Sequence, residues 1–287
     1  MPPRHLRLLA LALSLVTVAG CGHDPEPVTR PTPRTTESTG GGRATVALRS
    51  GWGATVVMQR QDSLVLTLPN GARQVQHVGR MARFTMEIGA NNTFTAVLDS
   101  LGLQPPSNEA AAEARGTRWS GRITGAGRIE GLRISRASPL GDDLTAAVRS
   151  LVPMVPFAGT AIGRSWKDTV SGSVQVEVFR AQEQRVRSWS AGERTDRGGM
   201  SVYPIRVREE FEQLGRGSQS GREMTMTAQG SRVGYYYITA DGRVDGAVLQ
   251  DSVAQFITIP SAKQTIPTMR YSRTTLRYST SARAERP

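Results

Sequence analysis

Few side chains in this 287-residue chain are equipped for chemistry. There are three histidines: His5 sits in an apolar leader, His23 in a proline-rich stretch, and His77 in "RQVQHVGR". A lone imidazole at a polar position of an alternating segment, with no neighbour to orient it, reads as a solvated residue rather than a general base. No Gly-x-Ser-x-Gly or Ser-x-x-Lys stretch is present to support serine hydrolase chemistry. Two carboxylate groups, Asp142-Asp143 and Glu209, Glu210 and Glu212, have the composition of a cation site or an acid/base pair. Each has a simpler explanation: helix-dipole complementation for the first, a mostly solvent-facing strand for the second. The glycines of "ITGAGRIEG" (123–131) suggest a phosphate cradle, a role that needs a strand before them and a helix after. "YYY" (235–237) is the single aromatic cluster; on a strand Tyr235 and Tyr237 share one face and Tyr236 takes the other. Tyr235, Tyr237 and Trp119 are therefore the candidates to line a ligand groove. The reading is of a protein that is not an enzyme, with no catalytic residue, metal site or cofactor.

The elements that would carry these residues are mostly strands. "ATVALRS" (44–50), "ATVVMQR" (54–60) and "DSLVLTL" (62–68) alternate apolar and polar residues, and Pro69, Asn70 and Gly71 close the last. "RFTMEIG" and "NNTFTAVL" meet at Asn91-Asn92, which suits a tight hairpin. Residues 94–101 also fit one helical face, but the hairpin partner favours strand. Ser107 to Arg115 predicts a short helix with Ser107 as N-cap, and 142–152 an amphipathic one ended by Pro153 and Pro156. Further strands are expected near 173–180, 184–190, 201–213, 222–229, 233–239, 243–251 and 269–279.

A repeat organises this pattern. Ala114, Gly116 and Arg118 match Ala228, Gly230 and Arg232; then Ile123, Thr124, Gly127, Arg128 and Gly131 match Ile238, Thr239, Gly242, Arg243 and Gly246 with the spacing longer by one. A β-bulge in the second copy would absorb that residue. The second copy places Asp241-Gly242 at the centre, a strong hairpin signal, so the glycines of the first copy read as a hairpin tip and not a cofactor loop. The expected fold is mainly β (β-rich α+β): two similar curved antiparallel sheets from an internal duplication, with one or two short helices.

The N-terminus gives an address. Arg4 and Arg7 precede an apolar run, Leu8 to Ala19, that is short for a membrane span and suits a signal peptide. It ends in "VAGC" (18–21), which resembles the bacterial lipobox; the resemblance implies that Cys21 is lipidated and becomes the mature N-terminus. Cys21 is the single cysteine, so no intramolecular disulfide can form. Residues 22–42, with Pro25, Pro27, Pro31, Pro33 and three closing glycines, read as an extended tether. The predicted organisation is a signal at 1–20, a tether at 21–42, a first β unit at 43–140, a helix and connector at 141–162, a second β unit at 163–282 and a tail at 283–287.

Loss of Arg4 and Arg7 with the leader lowers the formal net charge from +12 to +10. All but Lys167 and Lys263 of the basic residues are arginine, which a GC-rich genome explains as well as an affinity for anions. An envelope location argues against nucleic acid as the physiological partner.

Taken with the entry "IGRSW" (Gly163, Ser165, Trp166) and the paired hairpins, lipobox, tether and long strands resemble uncharacterised bacterial envelope lipoproteins. Their architecture is similar to half-barrel carriers of the LolA and LppX kind. That resemblance implies a curved sheet holding a lipid or other hydrophobic ligand, on a protein anchored in the cell envelope through Cys21. By the resemblance, Gly22 after the cysteine points to the outer membrane of a Gram-negative bacterium. The alternative is a structural or interaction protein of the envelope that recruits a protein or an anionic polymer such as a glycan.

Overall fold

The computed structural model describes residues 44–68, 70–136, 140–176 and 178–280. The leader, Cys21, the tether and the tail from 281 lie outside the described residues, as do the side chains of Asp142 and Asp143. In chain order the elements are β1 (Thr45–Val46), β2 (Trp52–Thr67), β3 (Arg73–Ile88), β4 (Thr93–Gln104), α1 (Asn108–Ala114), β5 (Arg118–Ile123), β6 (Ile129–Ile134) and α2 (Gly141–Arg149). They continue with β7 (Thr160–Ala161), β8 (Ser165–Val176), β9 (Phe179–Ala191), β10 (Thr195–Arg197), β11 (Met200–Gln219), β12 (Arg222–Thr239), β13 (Val244–Ile259) and β14 (Gln264–Thr280). The protein is mainly β and its pairings are antiparallel. Every strand pairing and core residue described lies between Ala44 and Thr280, so a 42–287 domain retains all of them.

The two β units share a sheet. Twelve strands run β6-β5-β4-β3-β2-β14-β13-β12-β11-β9-β8, with β10 added to β11; β14 and β2, from opposite ends of the chain, form the join. The two sheets expected from the repeat are thus fused edge to edge. Several expected strands are also fused: 54–60 with 62–68 in β2, and 222–229 with 233–239 in β12. The expected strand 173–180 instead contains the turn between β8 and β9, and of 44–50 only Thr45–Val46 is strand. Residues 94–101 are strand, within β4. Ser107 precedes α1, but its hydroxyl makes no capping bond.

The repeated hairpins have the same geometry. The Thr124 amide donates to Arg128 O, the Gly127 amide to Thr124 O, and the Arg128 amide to Thr124 Oγ1. Thr239, Gly242 and Arg243 repeat all three bonds. Gly127 and Gly242 both have φ of +84°, and a Cβ on either would strike a neighbouring backbone, Val155 in one case and Ala47 and Arg49 in the other. These glycines turn the chain and admit a crossing segment; they cradle no phosphate.

The extra residue of the second copy is not a bulge in β12, whose pairing with β11 runs unbroken from Thr239 to Arg222. The irregularities fall on the returning strands, at Ser120/Arg122 against β6 and at Tyr237/Ile238 against β13. Because side chains alternate, one inserted residue reverses everything upstream of it. Ile123 and Ile238 are both buried, whereas Arg118 is exposed and its sequence match Arg232 points inward.

Candidate functional site

Inward-facing residues alternate along each long strand. Trp52, Ala54, Val56 and Met58 on β2, Ala82, Phe84, Met86 and Ile88 on β3, and Ile205 and Val207 on β11 are all buried. At one end of the strands this apolar surface encloses α2 and the irregular run Leu151–Phe157, which supply Leu144, Val148, Leu151, Val152, Met154 and Val155 to the same core. Helix α2 is the amphipathic helix expected at 142–152, ending three residues earlier.

Four aromatic side chains from distant strands bond this inserted segment. Trp119 Nε1 on β5 donates to Thr145 Oγ1 at 2.8 Å, and Trp166 Nε1 on β8 to Met154 O at 3.0 Å. Tyr236 OH on β12 donates to Ser150 O at 2.9 Å, and Tyr278 OH on β14 to Leu151 O. Donors from both halves of the sheet thus reach one short segment, so the sheet curls around it. The two tyrosines satisfy carbonyls just past the C-terminus of α2 that burial would leave unpaired. Burial holds the Tyr236 and Tyr278 hydroxyls well above the ordinary tyrosine value, as neutral donors.

The chain's four tryptophans, Trp52, Trp119, Trp166 and Trp189, all belong to this interior. Trp166 and Trp189 stack with centroids 6.5 Å apart, and Trp189 meets Tyr236 at 5.9 Å. Two indoles are bonded to the inserted segment. The other two, Trp52 and Trp189, have buried N–H groups with no acceptor. An unmet buried donor costs about 1–3 kcal/mol.

Farther along the strands the inner face becomes ionic. One register row reads Asp62, Ser272, Asp251, Arg232, Glu209, Arg187, Asp168 across β2, β14, β13, β12, β11, β9 and β8. From Asp251 onward the charges alternate strictly. Arg232 Nε bonds Asp251 Oδ1 at 2.5 Å, and Glu209, only 5% exposed, is approached by Arg185 at 2.7 Å, Arg187 at 3.3 Å and Arg232 at 3.7 Å. Arg185 also grips Glu183 and lies over the Phe211 ring. Burial opposes each charge. It nevertheless loses to Arg232 at Asp251 and to Arg185 at Glu183, so both carboxyls sit below their ordinary values. Arg187 fares worse: burial together with Arg185 and Arg232 pulls it below its ordinary value despite Glu209 and Asp168. Glu209 is the correction to the solvent-facing reading of 209–212. It occupies the parity of Val207 and Phe211 and points inward, while Glu210 and Glu212 point out.

Strands β6 and β8 are the free edges of the sheet. They are tied where Arg128, at the first hairpin tip, meets Asp168 on β8, the last residue of the ionic row. Sequence reading missed this row, although its members share the parity of apolar neighbours: Asp168 with Trp166, Arg187 with Trp189.

The three proposed groove residues do not converge. Trp119 is fully buried on the inner face against Phe84. Tyr235 is 43% exposed on the outer face, and Tyr237, on that face too, lies under the Arg197 guanidinium at 4.4 Å. Strand alternation makes Tyr236 the inward member of the triplet. His77 is exposed, with Nδ1 3.1 Å from Ser63 Oγ. The outer surface carries a shallow depression of about 430 Å3 bordered by Gln61, Ser63, Ser231, Val233, Tyr271 and Arg273, among others.

No family model and no curated protein matches the chain. Among solved structures it is similar to an outer membrane channel from Pseudomonas putida F1, at 10% identity over 85% of this chain and 100% of that one, with a TM-score of 0.24. It is also similar to a LolA superfamily protein from Nitrosomonas europaea (9% identity, 78% and 84% coverage, TM-score 0.17). A third likeness is to the outer-membrane expressed OmpT of Vibrio cholerae (7% identity, 81% and 100% coverage, TM-score 0.18). Scores this low carry no functional weight.

Proposed function

We propose that this protein is a non-catalytic lipoprotein of the bacterial envelope, anchored through Cys21. In this reading the curled sheet binds a lipid or another hydrophobic ligand, and segment 141–157 occupies the ligand's space until displaced. The observation that carries it is the division of the tryptophans: two are bonded to the inserted segment, and two hold unmet donors in the same apolar interior. The segment belongs to the connector between the duplicated units and adds no strand to the large sheet. The free edges β6 and β8 give the interior a side that can part. The outer face has charges in mid-strand, such as Arg206, Arg208, Glu210 and Glu212 on β11, the reverse of the apolar band of a membrane-spanning barrel.

All four tryptophans face the interior, which supplies the assay. The 42–287 domain titrated with 11-(dansylamino)undecanoic acid should show energy transfer from tryptophan to dansyl. Tyr236→Phe/Tyr278→Phe, which unclasps the segment, should raise uptake. Native mass spectrometry of the full chain extracted from envelopes should find a bound lipid. No transfer in either form, with no lipid retained, would leave the segment as permanent core. The filled interior would then favour the alternative, an envelope protein that recruits its partner through an outer surface.

A further inference from the structure

The outer face of β2, β14, β13 and β12 carries a second arrangement, on the side of the sheet opposite the inserted segment. Two adjacent register rows form it. One reads Ser63, Tyr271, Ser252, Ser231; the next reads Gln61, Arg273, Gln250, Val233. The three serines are short, so the surface sinks between them into the depression of about 430 Å3. Tyr271, 50% exposed, stands between two hydroxyls, and the Arg273 guanidinium stands between two amides. Arg273, Gln61, Gln250 and Tyr271 are exposed, and their side chains bond no other described residue. Asp251 and Ser272 also border the depression, but the Asp251 carboxylate is bonded to Arg232 on the inner face. The carboxylate across from Ser231, Glu210, is held by Arg208 at 2.8 Å. The surface therefore offers a cation, two amides and three serine hydroxyls, that of Ser63 shared with His77, around one aromatic ring, with no free acid among them.

We infer that this depression binds an acidic saccharide: a hydroxyl-rich ring lies against Tyr271, its hydroxyls bond the glutamines and serines, and its carboxylate or phosphate pairs with Arg273. Amides both donate and accept, which suits a hydroxyl that does the same. The guanidinium fork suits a planar carboxylate or a phosphate. Tyr271 presents an apolar ring with a polar tip to the amphipathic ring of a sugar. Arg206 and Arg277, exposed on the same face and bonded to no described residue, extend the positive field along a chain of such units. A bilayer surface would be met by apolar anchors flanked by cations, whereas glutamines and serines dominate here.

The test is affinity electrophoresis and calorimetry of the 42–287 domain with oligogalacturonate, with dextran as neutral saccharide and phosphatidylglycerol vesicles as anionic membrane. The domain should bind oligogalacturonate and neither dextran nor vesicles. Arg273→Gln should weaken binding about tenfold or more, the loss expected for one charge-assisted contact, and Tyr271→Ala about tenfold, through loss of the ring that the sugar lies against. Arg222→Gln, exposed at the far start of β12, should change it less than twofold. Both tested side chains are exposed, and unchanged thermal unfolding of the variants confirms that folding is intact. Equal weakening by Arg222→Gln means general charge attraction and overturns the site, as does binding of vesicles alone or no retention at all. Failure here leaves the interior reading standing, because dansyl uptake probes the other face.

Discussion

Glu209 and Glu210 are consecutive, chemically identical and placed on opposite faces, so replacing each by Gln measures what the buried ionic row is worth. Glu209 is 5% exposed with three guanidiniums within 3.7 Å, on Arg185, Arg187 and Arg232. Glu209→Gln keeps the shape and removes the one charge these arginines share. Arg187, Arg185 and Arg232 each keep one carboxylate, Asp168, Glu183 and Asp251 respectively, so the loss is that of one buried partner, about 3–5 kcal/mol. In a domain of this size that corresponds to a fall in melting temperature of roughly 6–20 °C. Glu210→Gln breaks an exposed pair with Arg208, whose side chains are more than 60% exposed, and should cost at most about 1 kcal/mol. Urea unfolding of the 42–287 domain, with slopes compared to ensure that only stability moved, reads both values. Equal costs for the two variants, or less than about 1 kcal/mol for Glu209→Gln, would refute the claim that this row is desolvated.

Three further outcomes follow from the same geometry. Tyr236 and Tyr278 are raised by burial, so their stabilisation is complete below the ordinary tyrosine value of 10.0 and is lost as pH rises above it. Two tyrosinates should appear only as the domain unfolds, and Tyr236→Phe should cost about 1–3 kcal/mol by stranding Ser150 O. Glu183 and Asp251 are depressed, so their contribution is present above their ordinary values of 4.5 and 3.8 and fades as pH falls below them; melting temperature should drop there, less so in Asp251→Asn. Gly127→Ala places a Cβ 2.4 Å from Val155 O at a φ of +84° and should destabilise by about 1–3 kcal/mol. Gly125→Ala meets nothing within 4 Å and should stay within about 0.5 kcal/mol, as Ala240 at the matching position of the second hairpin indicates.

The strands were legible in the sequence because alternation is a local property, and so were the hairpin tips, whose Gly-Arg pair recurs. What escaped were consequences of parity and register. Gly230-Ser231 looks like a break in β12, yet Gly230 lies mid-strand because the Phe211 ring on the neighbouring strand occupies the space a Cβ would take. The ionic row needs five strands set to one register, and each intervening turn length contributes to that register. Strand alternation puts Tyr235 and Tyr237 on one face; which face that is follows only from the apolar neighbours Ile205 and Ile238 beside Tyr236.

The duplication also explains why the interior is filled as it is. Its first hairpin, β5–β6, corresponds to β12–β13. After β13 the second unit adds β14, which lies along β2 and joins the units. After β6 the first unit adds no strand: the chain turns inward as α2 and the Leu151–Phe157 run. The symmetric place for a counterpart of β14 lies between β6 and β8, the two free edges. Arg128–Asp168 ties those edges at one end, and Trp166 on β8 reaches back to Met154. The residues that follow β6 form the inserted segment instead. The free edge at β6 and the occupied interior thus arise at the same point of the chain, one departure from symmetry. In the proposed reading, this departure supplies both the seam and the segment that would move through it. Conversion of Asp168 to Asn should therefore speed uptake of the dansyl probe without changing the outer face, and unchanged kinetics would mean that this edge plays no part in entry.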